Sequence, residues 1–108
     1  MKRNDNKQLV VCIEKCFDLS MDGRLTQPRR SEMLALGKRL RGSLINLLSA
    51  EFADDLKAVK DANQKLQAVN QTLTDSIAAI NKIADTVKEV TRLVTSLDKL
   101  LKLVVSFK

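Results

Sequence analysis

The sequence from 56 to 108 contains no glycine and no proline, and its apolar residues recur every seven positions. The first core position of this repeat is occupied by Val59, Leu66, Leu73, Ile80, Val87, Val94 and Leu101. The second core position, three residues later in each repeat, is occupied by Ala62, Val69, Ser76, Ile83, Val90, Leu97 and Val104. A repeat sustained over more than three or four heptads is typical of a helix that packs along a seam against other helices. It predicts one long helix over 54–108.

The length of this predicted helix limits what the chain can fold into. A helix of about 50 residues would be roughly 80 Å long, because each residue adds about 1.5 Å. A compact chain of 108 residues has a radius of gyration of only about 13 Å. The helix must therefore project as a rod or bend back, and 70–76 is the segment richest in residues that tolerate a turn. Because a loop would normally reset the heptad phase, and the phase continues through 70–76, we expect a rod.

The positions beside the seam are mostly apolar, whereas a two-stranded coiled coil usually has paired charges there. They include Ile77, Ala79, Ala84, Leu93, Leu100 and Val105. This wide stripe favours a bundle of several helices, and we predict a homo-oligomer or a helical protein partner. The predicted interface consists of Leu66, Val69, Leu73, Ile80, Ile83, Val87, Val90, Val94, Leu97, Leu101 and Val104. The alternative is that the stripe packs against the other helices of the same chain.

The residues before the long helix predict two shorter helices. The first lies within 1–26, because its apolar residues form one helical face and Gly23 can adopt the left-handed conformation that ends a helix. The second, basic helix covers 27–53, where Thr26 would cap the helix and Pro28 suits its first turn. The core side of this second helix would consist of Met33, Leu36, Leu40, Leu44, Leu47 and Leu48.

Gly37 and Gly42 lie inside the second predicted helix, where each costs about 1 kcal/mol of helix propensity relative to Ala. They would mark places where two helices approach closely. A break follows at 49–55, and Asp54 and Asp55 suit the positive end of the next helix. The predicted fold class is therefore all-α, a single domain over 1–108. Two short helices are followed by one long heptad helix, and the whole forms an elongated, oligomeric helical bundle or coiled coil.

Positive charge is concentrated in the segment 24–41. This segment has six basic residues and one acid, Glu32, which is a net charge of +5 out of +6 for the chain. A basic segment of this kind predicts contacts with phosphates of nucleic acid, made by Arg29, Arg30, Lys38, Arg39 and Arg41. Because the chain has no Trp or Tyr for base stacking, such binding would be a non-specific contact with the backbone. The alternative is a solvated helix face.

The segment from Asp18 to Leu25, DLSMDGRL, resembles the first eight positions of an EF-hand calcium loop. In that family the twelfth loop position is an acid that binds calcium through both oxygens. Here Arg29 occupies that position, and Glu32 comes one turn later. This departure favours a simple joint between two helices that uses Asp, Ser and Gly.

The residue types argue against catalysis. The chain has no His and no glycine-rich phosphate loop, so we expect no enzymatic activity, no cofactor, no metal and no small-molecule substrate. Cys12 and Cys16 have no second cysteine pair and no His to complete a metal site. We interpret them as reduced, buried residues, and the alternative is a disulfide or a metal site shared with a second chain.

The segment from Leu97 to Lys108 has a wide apolar face beside lysines, as a membrane-surface helix does, although it is too short to span a bilayer. The polar start and the short apolar run after it predict a cytoplasmic location. Our main hypothesis is a non-catalytic helical scaffold or adaptor that acts through homo-oligomeric or partner-helix packing. The alternatives are a nucleic-acid-binding accessory protein and a membrane-surface or pore-forming helical protein.

Overall fold

The structure, a computed structural model, describes residues 3–53 and 56–107, with side chains over 6–53 and 56–106. Within these residues the α-helices are α1 (Arg3–Ser20), α2 (Gln27–Leu48), α3 (Lys57–Ala78) and α4 (Ile83–Leu101). A two-residue strand, β1 (Ala50–Glu51), follows α2, and β2 (Ser106–Phe107) follows α4. The predicted all-helical fold class is confirmed. Asp54 and Asp55, with which we expected the third helix to start, and Lys108 lie outside the described residues.

The joint between α1 and α2 is built from the capping residues that the sequence indicated. After α1, the N–H of Met21 donates to the carbonyl of Asp18 at 3.1 Å. Thr26 then caps α2, since its Oγ1 accepts a hydrogen bond from the N–H of Arg29 at 3.4 Å, and Pro28 lies in the first turn. The predicted cap of the second helix is therefore confirmed.

The prediction of one long helix over 54–108 is wrong. This segment forms α3 and α4, which are joined through a short 3-10 turn at Ile80–Lys82. The break is at Ala79, whose φ of −136° and ψ of 89° lie outside the helical region. It comes after the segment 70–76 that was the expected place for a bend. Because the two halves fold back on each other, the longest dimension is 43 Å and the radius of gyration is 13.9 Å, which excludes the rod.

Polar contacts from other parts of the chain stabilise the break at Ala79. Arg24, in the connector between α1 and α2, donates from Nη2 to the carbonyl of Ile77 at 2.8 Å and so satisfies a carbonyl at the end of α3. Ser76 and Thr86 are both buried, and their hydroxyls share a hydrogen bond between α3 and α4. Ser76, the one polar residue of the heptad core, is therefore a contact between the two halves of the turned-back segment.

The four helices form two antiparallel hairpins, α1–α2 and α3–α4, which pack side by side as a bundle. α1 runs parallel to α3, because two hydrogen bonds join them in the same order along both helices. The Nδ2 of Asn70 donates to the carbonyl of Gln8 at 3.0 Å, and the Nζ of Lys15 donates to Oγ1 of Thr74 at 2.8 Å. The first hairpin is thus held to the second along α1 and α3.

The other side of the bundle brings α2 beside α4. Arg39 of α2 and Asp98 of α4 form an ion pair at 2.9 Å. At the end of both helices, β1 pairs antiparallel with β2, with Ala50 opposite Phe107. The N–H of Val105 also donates to the carbonyl of Glu51 at 2.8 Å. This short strand pair holds the C-terminal segment against the connection between the two hairpins.

The core lies between the two hairpins and consists almost entirely of aliphatic side chains. Its largest fully buried members are Leu9, Leu19, Met33, Leu40, Leu47, Leu66, Val69, Leu73, Val90, Leu93, Leu97 and Leu100. Each contributes roughly 1.5–3 kcal/mol through its burial. In α3 the buried residues follow the two heptad core positions, whereas in α4 the buried stripe turns toward Thr86, Leu93 and Leu100. α4 packs against both α2 and α3, and its buried stripe is wider than the two heptad core positions.

Cys12 and Cys16 are free thiols buried in the core, as the sequence predicted. The hydrogen bond with Cys12 and the burial of the side chain raise the pKa of Cys16 far above its ordinary value. The thiol of Cys16 therefore stays protonated and packs as a small apolar group.

Candidate protein-docking surface

The predicted interface residues lie in the core of the chain itself. Leu66, Val69, Leu73, Ile83, Val90, Val94 and Leu97 are buried. Ile80, Val87 and Leu101 are half-buried and pack against the core, and Val104 is half-buried beyond the end of α4. The heptad stripe is therefore covered by helices of the same chain, which was the alternative interpretation of the sequence. A surface for a partner has to be sought among the exposed residues.

Two of the five predicted phosphate contacts, Arg29 and Arg39, are paired with acids. Arg29 forms an ion pair with Glu32 at 3.3 Å, and Arg39 forms one with Asp98 on α4 at 2.9 Å. An acid beside each of these two cations competes with a phosphate for it. Arg29 and Arg39 are therefore less available to a phosphate than a basic residue without an acid beside it.

The other three basic residues have different surroundings. Arg30 donates from Nη2 to Oε1 of Gln27 at 2.9 Å. Lys38 and Arg41 are exposed, and within the described residues neither forms an ion pair. The guanidinium of Arg41 lies 5.8 Å from the ring centroid of Phe17 on α1, a cation–π distance that holds the charge near the α1–α2 groove.

Five exposed residues of α2 follow one another at the four-and-three spacing of a single helix face. They are Leu34, Lys38, Arg41, Ile45 and Leu48, which we call the α2 outer stripe. Ile45 is 64% exposed, Leu48 is 61% exposed and Leu34 is 39% exposed. We expected Leu48 on the core side of α2, and this was wrong, because Leu47 fills the core at that turn. The stripe therefore places three large aliphatic side chains and two cations in water.

The two glycines of α2 differ in what lies beside them. A Cβ at Gly37 would be 2.7 Å from Cε1 of Phe17, so this glycine allows α1 to approach α2 closely. A Cβ at Gly42 would meet no atom within 4 Å. The prediction of a close helix–helix approach is confirmed for Gly37. At Gly42 the fold of this chain does not require a glycine, and the open space borders the α2 outer stripe.

Exposed apolar residues of α1 and of the turn that follows it lie near both ends of the α2 outer stripe. α1 and α2 are antiparallel, and the contact between Phe17 and Gly37 sets their register. Since both helices rise equally per residue, Val10 lies level with the last turns of α2 and Met21 lies level with Leu34. Both Val10 and Met21 are exposed. The outer side of the first hairpin thus has apolar residues at its two ends and the cations Lys38 and Arg41 between them.

The segment that resembles a calcium loop has a different structure here. The side chain of Ser20, the third loop position, is turned to the helix and donates to the carbonyl of Phe17 at 2.6 Å. The carboxylate of Asp22 accepts from Arg24 at 2.6 Å, and these hydrogen bonds lower its pKa from 3.8 to about 2. Asp22 and Arg24 therefore link the connector between α1 and α2 to the end of α3, because Arg24 also donates a hydrogen bond to the carbonyl of Ile77.

Three further observations bear on function. Within the described residues no group of three or more His, Cys, Asp or Glu side chains is placed to hold a metal ion. No helix of that part of the chain is both long and apolar enough to cross a membrane. The chain matches no known protein family, no curated protein and no solved structure.

The α2 outer stripe was missed in the sequence because a stronger pattern overlaps it. Leu34 and Ile45 lie outside the Leu-rich stripe that fills the core, and each directly follows a member of that stripe, Met33 or Leu44, in the sequence. The signal that could have identified the stripe is the spacing of these two residues with Lys38 and Arg41 between them. Apolar residues on two sides of one helix indicate that both sides are covered.

Proposed function

We propose that this protein is a non-catalytic helical adaptor that binds a helix of another protein on the outer side of its α1–α2 hairpin. The observation that carries the proposal is the α2 outer stripe, with Ile45 and Leu48 more than half exposed at helical spacing. Gly42 beside the stripe supports it, since none of the residues that the structure describes lies close enough to explain a glycine in the middle of an exposed helix face.

The apolar side chains of this surface supply enough energy for weak binding, in the millimolar range. Burying a whole Leu or Ile side chain contributes roughly 1.5–3 kcal/mol. The exposed fractions of Leu34, Ile45 and Leu48 are 39%, 64% and 61%, equivalent to about one and a half side chains, or roughly 2–5 kcal/mol. Val10 and Met21 would add to this if the partner covered the groove between α1 and α2. Helix-in-groove recognition uses apolar anchors of this kind at helical spacing.

The proposal keeps the adaptor function that the sequence favours and changes the surface that performs it. The heptad stripe stabilises the bundle, so its residues are not available to a partner unless the bundle opens. The α2 outer stripe needs no opening. A partner that packs there would leave the core and both hairpins unchanged.

The experiment is an NMR titration of the folded chain with an uncharged amphipathic peptide of about 20 residues. The peptide carries Leu at four-and-three spacing and Gln at the positions that would face Lys38 and Arg41. We expect amide shifts along α2 and the facing side of α1, and loss of binding in Ile45→Asp. Ile77→Asp, which changes an exposed aliphatic residue of the other hairpin, is the matched control and should bind normally.

Two results would contradict the proposed function. One is the absence of binding at millimolar peptide concentration, and the other is binding that Ile45→Asp leaves unchanged. Light scattering of the chain alone accompanies the titration. If the chain alone forms a dimer and Ile45→Asp dissociates it, the stripe still acts by packing against a helix, and its partner is a second copy of the chain.

A further inference from the structure

We infer that the partner helix is acidic, with carboxylates that face Lys38 and Arg41 between two sets of apolar anchors. This inference rests on the proposed function and assigns the chemistry of the partner. It is carried by the order of residues along the α2 outer stripe, which reads apolar, basic, basic, apolar, apolar from Leu34 to Leu48.

The two cations of the stripe are available to a partner. Within the described residues, every other basic residue of α2 has a polar partner: Glu32 for Arg29, Gln27 for Arg30 and Asp98 for Arg39. Lys38 and Arg41 form no ion pair there, and Phe17 holds the guanidinium of Arg41 from the α1 side. A helix laid on the stripe with apolar or basic residues at these positions would desolvate two charges without a partner, which is unfavourable.

The stripe also defines the spacing of the partner. Leu34 and Leu48 are 14 positions apart in one helix, which corresponds to roughly 21 Å. A partner must therefore be helical over about four turns, with apolar residues at both ends of that length and acids in the middle. Gly42 leaves room for the backbone of the partner to approach near Lys38 and Ile45.

A second copy of the chain is a poorer occupant of the stripe. In a symmetric dimer formed through the stripe the same faces meet, so Lys38 and Arg41 of both copies would be brought into one interface. The one acid of α2, Glu32, is already paired with Arg29. An acidic helix of another protein supplies the missing negative charge and needs no change in the bundle.

The test compares three peptides that share Leu anchors and differ only at the two central positions, which are Glu, Gln or Lys. Binding to the wild-type chain is measured by fluorescence anisotropy in about 50 mM NaCl, where exposed charges are weakly screened. We expect the Glu peptide to bind about tenfold more tightly than the Gln peptide, and the Lys peptide to bind more weakly still. In the double variant Lys38→Glu with Arg41→Glu, the Lys peptide should bind more tightly than the Glu peptide.

The control for this charge reversal is Lys60→Glu with Lys88→Glu, which makes the same change of charge at exposed positions of α3 and α4. This variant should keep the wild-type order of the peptides. Equal binding of all three peptides, still lost in Ile45→Asp, would overturn the acidic partner and leave the proposed function standing. If none of the peptides binds, both are overturned. Stripe-dependent binding to vesicles of phosphatidylserine without binding to any peptide would assign the surface to lipid instead.

Discussion

Replacing each glycine of α2 by alanine separates close packing from helix propensity within one helix. Alanine is favoured over glycine by about 1 kcal/mol in a helix interior, and this gain applies equally at Gly37 and Gly42. At Gly42 the new Cβ meets no atom within 4 Å. We therefore expect Gly42→Ala to raise the free energy of unfolding by about 1 kcal/mol.

At Gly37 the same change places a Cβ 2.7 Å from Cε1 and 2.9 Å from Cδ1 of Phe17. Carbon atoms in contact are normally about 3.5–4.0 Å apart, so the ring has to move by roughly 1 Å. Overpacking of this kind costs about 1–3 kcal/mol, which offsets the gain in propensity. Gly37→Ala should therefore be neutral or destabilising by up to about 2 kcal/mol, and the two variants should differ by about 1–3 kcal/mol.

Urea unfolding followed by circular dichroism measures this difference. Phe17→Leu provides the internal check, because it replaces the rigid ring beside Gly37 with a smaller and more flexible side chain. In that background the two glycine variants should become nearly equal. Equal stability of Gly37→Ala and Gly42→Ala in the chain with Phe17 present would refute the close contact between α1 and α2.

Three further predictions concern the buried core, the hydrogen bond between Ser76 and Thr86, and the pair of Asp22 and Arg24. Leu93→Ala should destabilise the chain by about 2–5 kcal/mol in the same urea experiment, because Leu93 is fully buried. Leu103→Ala, at an exposed site, should change the stability by less than about 0.5 kcal/mol. Thr86→Val should lower the free energy of unfolding by about 1–3 kcal/mol, because it leaves the buried hydroxyl of Ser76 without its partner. In a double-mutant cycle, adding Ser76→Ala should recover most of that loss of stability. Because the pKa of Asp22 is lowered to about 2, its bonds with Arg24 stabilise the fold fully above pH 3.8 and lose that effect as the pH falls to about 2. Over this range the melting temperature of Asp22→Asn should therefore fall less than that of the wild type.

Local patterns in the sequence predicted those features that depend on neighbouring residues of one helix. Thr26 and Pro28 define the start of α2 because capping involves only the first turn. The buried residues of α3 follow the heptad because the repeat identifies one face of a helix. The small residue Gly37 was correctly associated with a close helix contact, although its partner, Phe17, could not be named from spacing alone.

The α2 outer stripe could not be predicted with the same certainty. Leu36, Leu44 and Leu48 share similar positions in the sequence pattern, yet the first two pack against the core and Leu48 is exposed. The difference arises because Leu47 fills the core at the last turn of α2, which leaves Leu48 on the outer side of the helix. Exposure is a property of the whole bundle, and it decided which residues form the candidate site.

The sequence by itself determined that the chain is helical, which residues can lie on a buried face, and where α2 begins, because these depend on propensity, periodicity and capping. The tertiary structure alone decided that 57–101 is a hairpin of two helices. A heptad repeat is satisfied equally by a rod that packs on another chain and by two shorter helices that pack on each other. The hairpin forms because α3 and α4, once folded back, bury their parts of the heptad stripe within one chain. Arg24, 53 positions before Ile77, also supplies a hydrogen bond at the break that no local pattern contains.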